Sequence, residues 1–371
     1  MVPGRGAEGR RPAEAVKVLV AMSGGVDSSV AAAMCLEAGH EVVGATMKLW
    51  GGASSSSGGC CSVADVEDAR RVADQLGIAH YVFNFTREFN DWVVDPYVME
   101  HSRGRTPNPC IECNRRIKFD RFLDRAITLG YDAVATGHHA RLAREVPSGR
   151  CLLLRGKDPL KDQSYVLAVL AQRQLRHCLF PVGEMNKAEV RQHAVDIGLR
   201  TAHKPDSLDL CFVSSAVGRD GFLADRIDLH PGDLVDARTD QVIGAVSAVE
   251  MVTVGQRRGL GRGLGLGREG ERRYALEVDV ASRRVRVGSS EDLLTEIQPL
   301  DNLCWTSEPP PAPGTRALAQ ASAHGPALDC SIEPGGVRYL KPARRAAPGQ
   351  TVAIYDGDIV LGSGIAAPAP A

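Results

Sequence analysis

Ala21-Met22-Ser23-Gly24-Gly25-Val26-Asp27-Ser28-Ser29 decides how the first half of this chain is read. A mostly apolar run at 16–22 leads into it with the length of a buried strand. Residues 28–38 follow with helical character and stop at Gly39, which suits a left-handed helix end. Strand, glycine turn and helix in that order make an anion cradle. Gly24 and Gly25 let the backbone turn sharply, so that amides, the hydroxyls of Ser23, Ser28 and Ser29, and the positive helix N-terminus converge on phosphate oxygens. The lysine of GxxxxGK[ST] is missing, so gripping a γ-phosphate for transfer is not the evident use. Asp27 is placed to help hold Mg2+ on a pyrophosphate leaving group. SGG alone would be read as a serine-capped turn; the nine-residue string behind a buried strand favours phosphate.

Working outward, the strand and helix pattern repeats. Residues 41–47 read as strand, Val63–Leu76 as an amphipathic helix with Ser62 as cap, and 79–85 and 131–136 as strands, which predicts a parallel sheet covered by helices. GGASSSSGG (51–59) reads as a surface loop. Helix is expected over 163–176 and 187–197, the second opened by an Asn186 and Glu189 capping box. Beyond Gly218 the helical period fades and glycine becomes dense in GLGRGLGLGREG (259–270). The short runs 351–355 and 359–361, split by Asp356-Gly357, signal a hairpin. The fold class is therefore α/β: a parallel-sheet domain at 1–215, a small central domain at 216–290, and a C-terminal β-barrel or sandwich at 291–371. The last is expected to follow a proline-rich linker at 309–314.

At 371 residues the chain exceeds a single core, and 44% apolar with 24% charged residues is ordinary for a folded protein. A net charge of -1 leaves any nucleic acid to be held by local basic patches. No signal-peptide core and no bilayer-length apolar run is visible, which predicts a cytoplasmic protein without membrane contact. Ten cysteines in that compartment are reduced thiols and not a disulfide framework. Cys35, Cys151, Cys178, Cys304 and Cys330 read as small buried hydrophobes. Cys110 and Cys113 have the Cys-x-x-Cys spacing of a redox pair or part of a metal site.

Beyond the cradle, seven strings stand out: MKLW (47–50), Gly59-Cys60-Cys61-Ser62, GRTPNPCIECNRRIKF (104–119), TGHHAR (136–141), KDQSYVL (161–167), DSLDLCFV (206–213) and GQRRGL (255–260). SGGVDSS resembles the PP-loop of the ATP pyrophosphatase superfamily. The full set, in order over most of the chain, resembles the bacterial tRNA-specific 2-thiouridylase family. The resemblance implies an adenine nucleotide alpha hydrolase-like first domain, ATP and Mg2+ as cofactors, and tRNA as substrate. A cysteine desulfurase or sulfur-relay protein is the implied sulfur donor. It also implies adenylation of the C2 oxygen of a wobble uridine, followed by displacement of AMP by sulfur.

Residue by residue, Cys211 matches the persulfide-bearing cysteine and Cys113 the nucleophile that releases its sulfur by forming a disulfide with it. ATP is implied over the string from Ala21 to Ser28, with Met47 against the adenine and Gly137 near the nucleotide. Asn108, Pro109 and Cys110 are implied to meet the target base, and Lys161, Asp162 and Gln163 to contact tRNA, joined by Gln256, Arg257 and Arg258. Arg115, Arg116 and Lys118, and Lys204 beside Cys211, are expected to supply the positive charge that favours thiolates. His138 and His139 read equally as structural or catalytic. A secondary reading gives Cys110, Cys113 and Cys211 to an iron-sulfur cluster with one open iron. The chain departs from the family's usual pattern at Val246-Ser247-Ala248 and at AQASAHG (319–325). Two rivals remain: another PP-loop ligase or amidotransferase, or a tRNA-binding or redox module with an inactive loop.

Overall fold

The computed structural model of the protein describes residues 15–50, 63–206, 210–213, 217–260 and 272–368. The expectations placed on 51–59, on Cys60, Cys61 and Ser62, and on 261–270 lie outside these residues.

Strand β1 (Lys17–Ala21) is covered on both faces, which explains its continuous apolar sequence. Val18 and Val20 pack with Val30 and Ala31 of helix α1 (Val26–Glu37), while Leu19 and Ala21 pack with Phe89, Ile117 and Phe122 on the other side. Strands β2 (Glu41–Lys48), β3 (His80–Asn84) and β4 (Ala133–Thr136) join it in a parallel sheet of order β3-β2-β1-β4, finished by the short strand Cys178–Leu179. Helix α2 (Val63–Leu76) connects β2 to β3. The chain winds outward from β1 through β2 and β3, then returns to its other side as β4. Ligands of such sheets bind beyond the carboxyl ends of the strands where that reversal occurs. Here the reversal puts the turns after Ala21 and after Thr136 side by side.

Two helical runs between β3 and β4, at 86–102 and 109–128, carry wider π-turns at Asn90–Val94 and Cys113–Phe122. The helix expected over 163–176 is instead two short ones, Ser164–Leu167 and Gln172–Leu175. Tyr165, Leu167, Ala168, Val169 and Leu170 are all buried at a seam with Ala353, Tyr355 and Val360, so the segment has no solvent face along which a long amphipathic helix would run.

The central region builds a four-stranded sheet ordered Tyr274–Asp279, Arg284–Gly288, Gly232–Asp236, Val242–Val246. The C-terminal region is a closed six-stranded barrel. Its strands run Leu294–Trp305, Gly336–Arg344, Leu328–Glu333, Arg316–Gln320, Thr351–Asp356 and Ile359–Ala366, and the last pairs back onto the first. The Asp356-Gly357 hairpin is present, with Gly357 at φ 55°. The 309–314 segment does not precede the barrel but joins its strands Leu294–Trp305 and Arg316–Gln320. Register shifts between Thr295 and Ile297 and between Asp301 and Cys304 break the alternation of the first strand and hid it from sequence reading. A hairpin from the first domain, Ala140–Arg144 and Cys151–Arg155, extends the barrel sheet through Leu154 opposite Ile359.

Candidate active site

Gly25 ends the turn after β1 and stands at the N-cap of α1, where no side chain caps the helix. The first-turn amides are thus left to another acceptor, and the helix dipole favours an anion. Gly24 takes φ 75° and lies so close to α2 that a Cβ would come 2.3 Å from the Asp65 carbonyl oxygen. Ser28 Oγ accepts from the Ser23 amide at 3.1 Å and donates to the Gly25 carbonyl at 3.1 Å, while Ser29 Oγ donates to the same carbonyl at 2.8 Å. Gly137 closes the other side, since a Cβ there would stand 2.5 Å from the Ser28 nitrogen. The sequence-predicted string and Gly137 are therefore brought together at the switch point of the sheet.

Asp27 lies in the first turn of α1. Lys187 Nζ donates to both its oxygens at 2.7 Å, and His139 Nε2 is 3.1 Å from Oδ1. Burial pushes this carboxyl up, but the bonds from His139 and Lys187 outweigh it and hold it below its ordinary value. Lys187 also reaches Asp206 at 2.9 Å, where Lys161 and Arg191 converge at 2.8 Å each. Burial raises the Asp206 carboxyl too, and Lys161 and Lys187 overcome it and bring it to about 2.

Cys113 is 7% exposed in the apolar cluster against which Met47, Trp50 and the half-buried Cys211 pack. Two thiols far apart in sequence thus share one cluster with the residue implied to meet the adenine. Cys110 is exposed in the first turn of a helix opened by Pro109, whose N-cap is Asn108 accepting from the Cys110 amide at 3.0 Å. Cys110 is therefore helical. Asn108 and Pro109 line a cleft of about 780 Å3 between the first domain and the barrel, together with Arg105, Arg115, Arg116 and Arg121. Arg115 and Arg116 turn back on Glu112 at 3.6 and 3.9 Å. Lys204 is bound by Asp65 and Asp68, both at 2.8 Å, so its charge is matched by α2 and is not available as a lone cation beside Cys211.

Asp162 and Gln163 shape the turn that presents Lys161. The Asp162 carboxylate accepts from the Gly156 and Ser164 amides, Ser164 Oγ and Arg155, and Gln163 exchanges hydrogen bonds with the His139 backbone. Gln256 is spent on its own turn, accepting from the Thr253 amide and donating to the Arg258 carbonyl. His138 is buried among Thr136, Lys118, Phe119 and Phe180, and burial lowers it well below the ordinary imidazole value. Lys118 can only donate to its Nε2, so Nδ1 carries the proton and faces Thr136 Oγ1 at 2.7 Å. Both histidines are thus tied into the scaffold.

Sequence reasoning missed Lys187 as a site residue. Its signal was the Asn186 and Glu189 capping box, which fixes Lys187 at the start of helix Lys187–Asp196. It also missed Gln350, whose amide donates to the Thr106 carbonyl at 2.6 Å across the domains. Among the described residues no group of three or more His, Cys, Asp or Glu side chains is gathered to hold a metal, so Cys110, Cys113 and Cys211 do not form such a set. No described helix is long and apolar enough to cross a membrane.

An uncapped helix N-terminus set at the reversal of a parallel sheet, with a glycine turn on one side and Gly137 on the other, is how PP-loop proteins grip nucleotide phosphate, and the chain is of that class. Family models match it along its length: tRNA methyl transferase HUP domain at 16–215, tRNA methyl transferase PRC-barrel domain at 220–289 and aminomethyltransferase beta-barrel domain at 298–366. The tRNA-specific 2-thiouridylase MnmA of Mycobacteroides abscessus is 46% identical over 361 residues, covering 94% of this chain and 99% of its own. That of Saccharopolyspora erythraea is 45% identical over 364 residues, covering 95% and 99%. The chain belongs to the family of tRNA-specific 2-thiouridylases, which are sulfurtransferase enzymes.

Proposed function

We propose that the chain converts a wobble uridine of tRNA to 2-thiouridine with ATP, residues 1–215 forming the catalytic domain, 216–290 a tRNA-contacting domain and 291–371 the barrel. The reading is carried by one observation: Cys113 and Cys211, distant in sequence, share an apolar cluster with Met47 beside a phosphate cradle.

The uridine O2 attacks the α-phosphorus of ATP held over Ala21, Met22, Ser23, Gly24, Gly25, Val26, Asp27 and Ser28, and pyrophosphate leaves. The amides of the first helical turn, fixed before the substrate arrives, stabilise charge on the phosphates without reorganising. Mg2+ carried on those phosphates neutralises part of their charge; Asp27 is already engaged by Lys187 and His139 and serves the ion only by sharing. Cys211 carries a persulfide loaded by a cysteine desulfurase or relay protein. The Cys113 thiolate attacks Cys211 Sγ, the persulfide S–S bond breaks, hydrosulfide is released and a Cys113–Cys211 disulfide forms. Hydrosulfide adds at C2, the C2–O bond breaks and AMP departs. Two external thiol equivalents then reduce the disulfide. Asn108, Pro109 and Cys110 border the base, and Lys161, presented by Asp162 and Gln163, meets the RNA backbone.

The test is mass spectrometry of tRNA nucleosides after incubation with the purified protein, ATP, Mg2+, a desulfurase and cysteine. Exchange of one oxygen for sulfur at the wobble uridine is expected. Cys113→Ser and Cys211→Ser should each abolish it while tRNA-dependent pyrophosphate release continues. Full sulfur insertion by the double serine variant would overturn the roles of both thiols, and absence of pyrophosphate release from the wild type would overturn the adenylation step.

A further inference from the structure

We propose that Cys110 is the resolving thiol, which opens the Cys113–Cys211 disulfide from within the protein and carries the oxidation to the surface; the proposal rests on the reading above, in which that disulfide forms as hydrosulfide is released. The disulfide would lie where a reductant has poor access. Cys113 is 7% exposed, and Cys211 is half-buried in the same cluster with Phe89, Val93, Phe122 and Phe222. Exchange requires the attacking sulfur to reach the sulfur it attacks, so a bulky external dithiol meets this bond slowly. Among the described cysteines Cys110 alone is exposed. Cys35, Cys151, Cys178 and Cys330 are buried in other clusters.

The fold sets this thiol beside Cys113. Helix Pro109–Glu112 runs directly into the π-turns of Cys113–Phe122, and the Cys113 amide donates to the carbonyls of Pro109 and Cys110. The two cysteines are thus one turn apart on one helix face. Helical geometry puts their Cα atoms about 5 Å apart. That is within the span of about 4.4–6.8 Å that a disulfide bridges. Asn108 holds the turn by accepting from the Cys110 amide at 3.0 Å. Tyr97 ties Cys110 to the sulfur carrier's surroundings. Burial pushes its phenol up to about 12, with Arg219 lowering it and Asp220 and Cys110 raising it, and its ring meets that of Phe212, next to Cys211, edge-on at 5.6 Å.

The Cys110 thiol gives its proton to solvent and the thiolate attacks Cys113 Sγ. The Cys113–Cys211 bond breaks, and Cys211 leaves as a thiolate able to accept the next sulfur. A Cys110–Cys113 disulfide remains, with no net oxidation or reduction in this step. An external dithiol then attacks the exposed Cys110 sulfur, is oxidised to its own disulfide and returns both cysteines as thiols. A thiol on the same chain acts at an effective concentration on the order of millimolar or above, well beyond a protein reductant at micromolar level.

The experiment runs a single turnover of the full-length protein with tRNA, ATP, Mg2+, a desulfurase and limiting cysteine, without reductant, then quenches with acid and alkylates with N-ethylmaleimide. Trypsin leaves Cys110 and Cys113 together on the peptide from Thr106 to Arg115, and Cys211 on another. The wild type is expected to yield the first peptide two hydrogens lighter, closed on itself, with Cys211 alkylated. Cys110→Ser and Cys110→Ala should instead yield Cys113 joined to Cys211; thermal melts establish that both are folded. Freed of substrates and treated with micromolar thioredoxin, the oxidised wild type should be reduced at least about tenfold faster than either variant. Neither readout depends on how fast the first turnover runs. A wild type that holds Cys113 joined to Cys211 with Cys110 alkylated overturns the proposal, as does equal reduction of wild type and variants by thioredoxin. A Cys110→Ser protein that makes 2-thiouridine without joining Cys113 to Cys211 sinks the underlying two-thiol reading instead.

Discussion

Gly137→Ala tests whether the end of β4 and the start of α1 clasp the nucleotide between them. A Cβ at 137 would lie 2.5 Å from the Ser28 nitrogen, 2.6 Å from the Asp27 carbonyl carbon and 2.9 Å from its oxygen. Ordinary contact begins at 3.4 Å, so strand or helix must retreat by about 0.9 Å, and the atoms in the way are backbone. Overpacking of this kind costs about 1–3 kcal/mol. For a domain of about 200 residues, each kcal/mol moves Tm by about 2–4 °C, so a fall of roughly 2–12 °C is expected. A misplacement near 1 Å in a preorganised site costs on the order of 10²-fold. Calorimetric affinity for α,β-methylene ATP should accordingly drop about 10- to 100-fold. Gly149→Ala separates stability from binding. Gly149 has φ 70° with nothing near its Cβ position, so alanine there costs about 1–2 kcal/mol of backbone strain and should leave nucleotide affinity untouched. If Gly137→Ala bound the analogue as tightly as wild type, the cradle would not lie where β4 meets α1.

Asp206 is held at about 2 against an ordinary 3.8, so it contributes stability that is complete above about pH 4 and is lost as pH falls through the lowered value. Thermal melts between about pH 4 and 2 should fall more steeply for wild type than for Asp206→Asn, and equal slopes would contradict the ion network. Asp162→Ala removes the acceptor of two amides, a hydroxyl and Arg155, a loss of about 2–4 kcal/mol given what charged hydrogen bonds contribute. Tm should fall by several degrees along with tRNA affinity; weaker tRNA binding at an unchanged Tm would make Asp162 a direct RNA contact and not the scaffold of Lys161.

What sequence revealed follows from what is local. β1 could be read because a strand buried on both faces must be apolar throughout, and the cradle because Gly24 and Gly25 are needed where the chain turns hard against α2. The capping box of helix Lys187–Asp196 was equally local and equally visible. The helix at 163–176 was misread because its apolar residues answer to the barrel, which packs on them from nearly two hundred residues away. The first barrel strand escaped because two register shifts spoil its period. Lys187 could be placed on a helix from its own neighbourhood, yet its partners Asp27 and Asp206 come from opposite ends of the domain. No spacing rule connects them.

The same distinction bears on the base-facing loop. Gly104 lies against Val278 and Val280 of the central domain, so a Cβ there would come within 2.9 Å of Val278. Thr106 donates its amide to Pro348, accepts from Gln350 at its carbonyl and bonds Thr253 through its hydroxyl. All three domains therefore hold the four residues, Gly104 to Pro107, that lead to Asn108. Ordering a free loop on binding costs about 1–2 kcal/mol per residue. A loop fixed beforehand saves most of that when RNA docks. On the proposed reading, the central and barrel domains act on the base without carrying chemistry, by removing the entropy its binding loop would otherwise lose. Loosening Gln350 or Thr253 should accordingly weaken tRNA binding while leaving nucleotide affinity as it was.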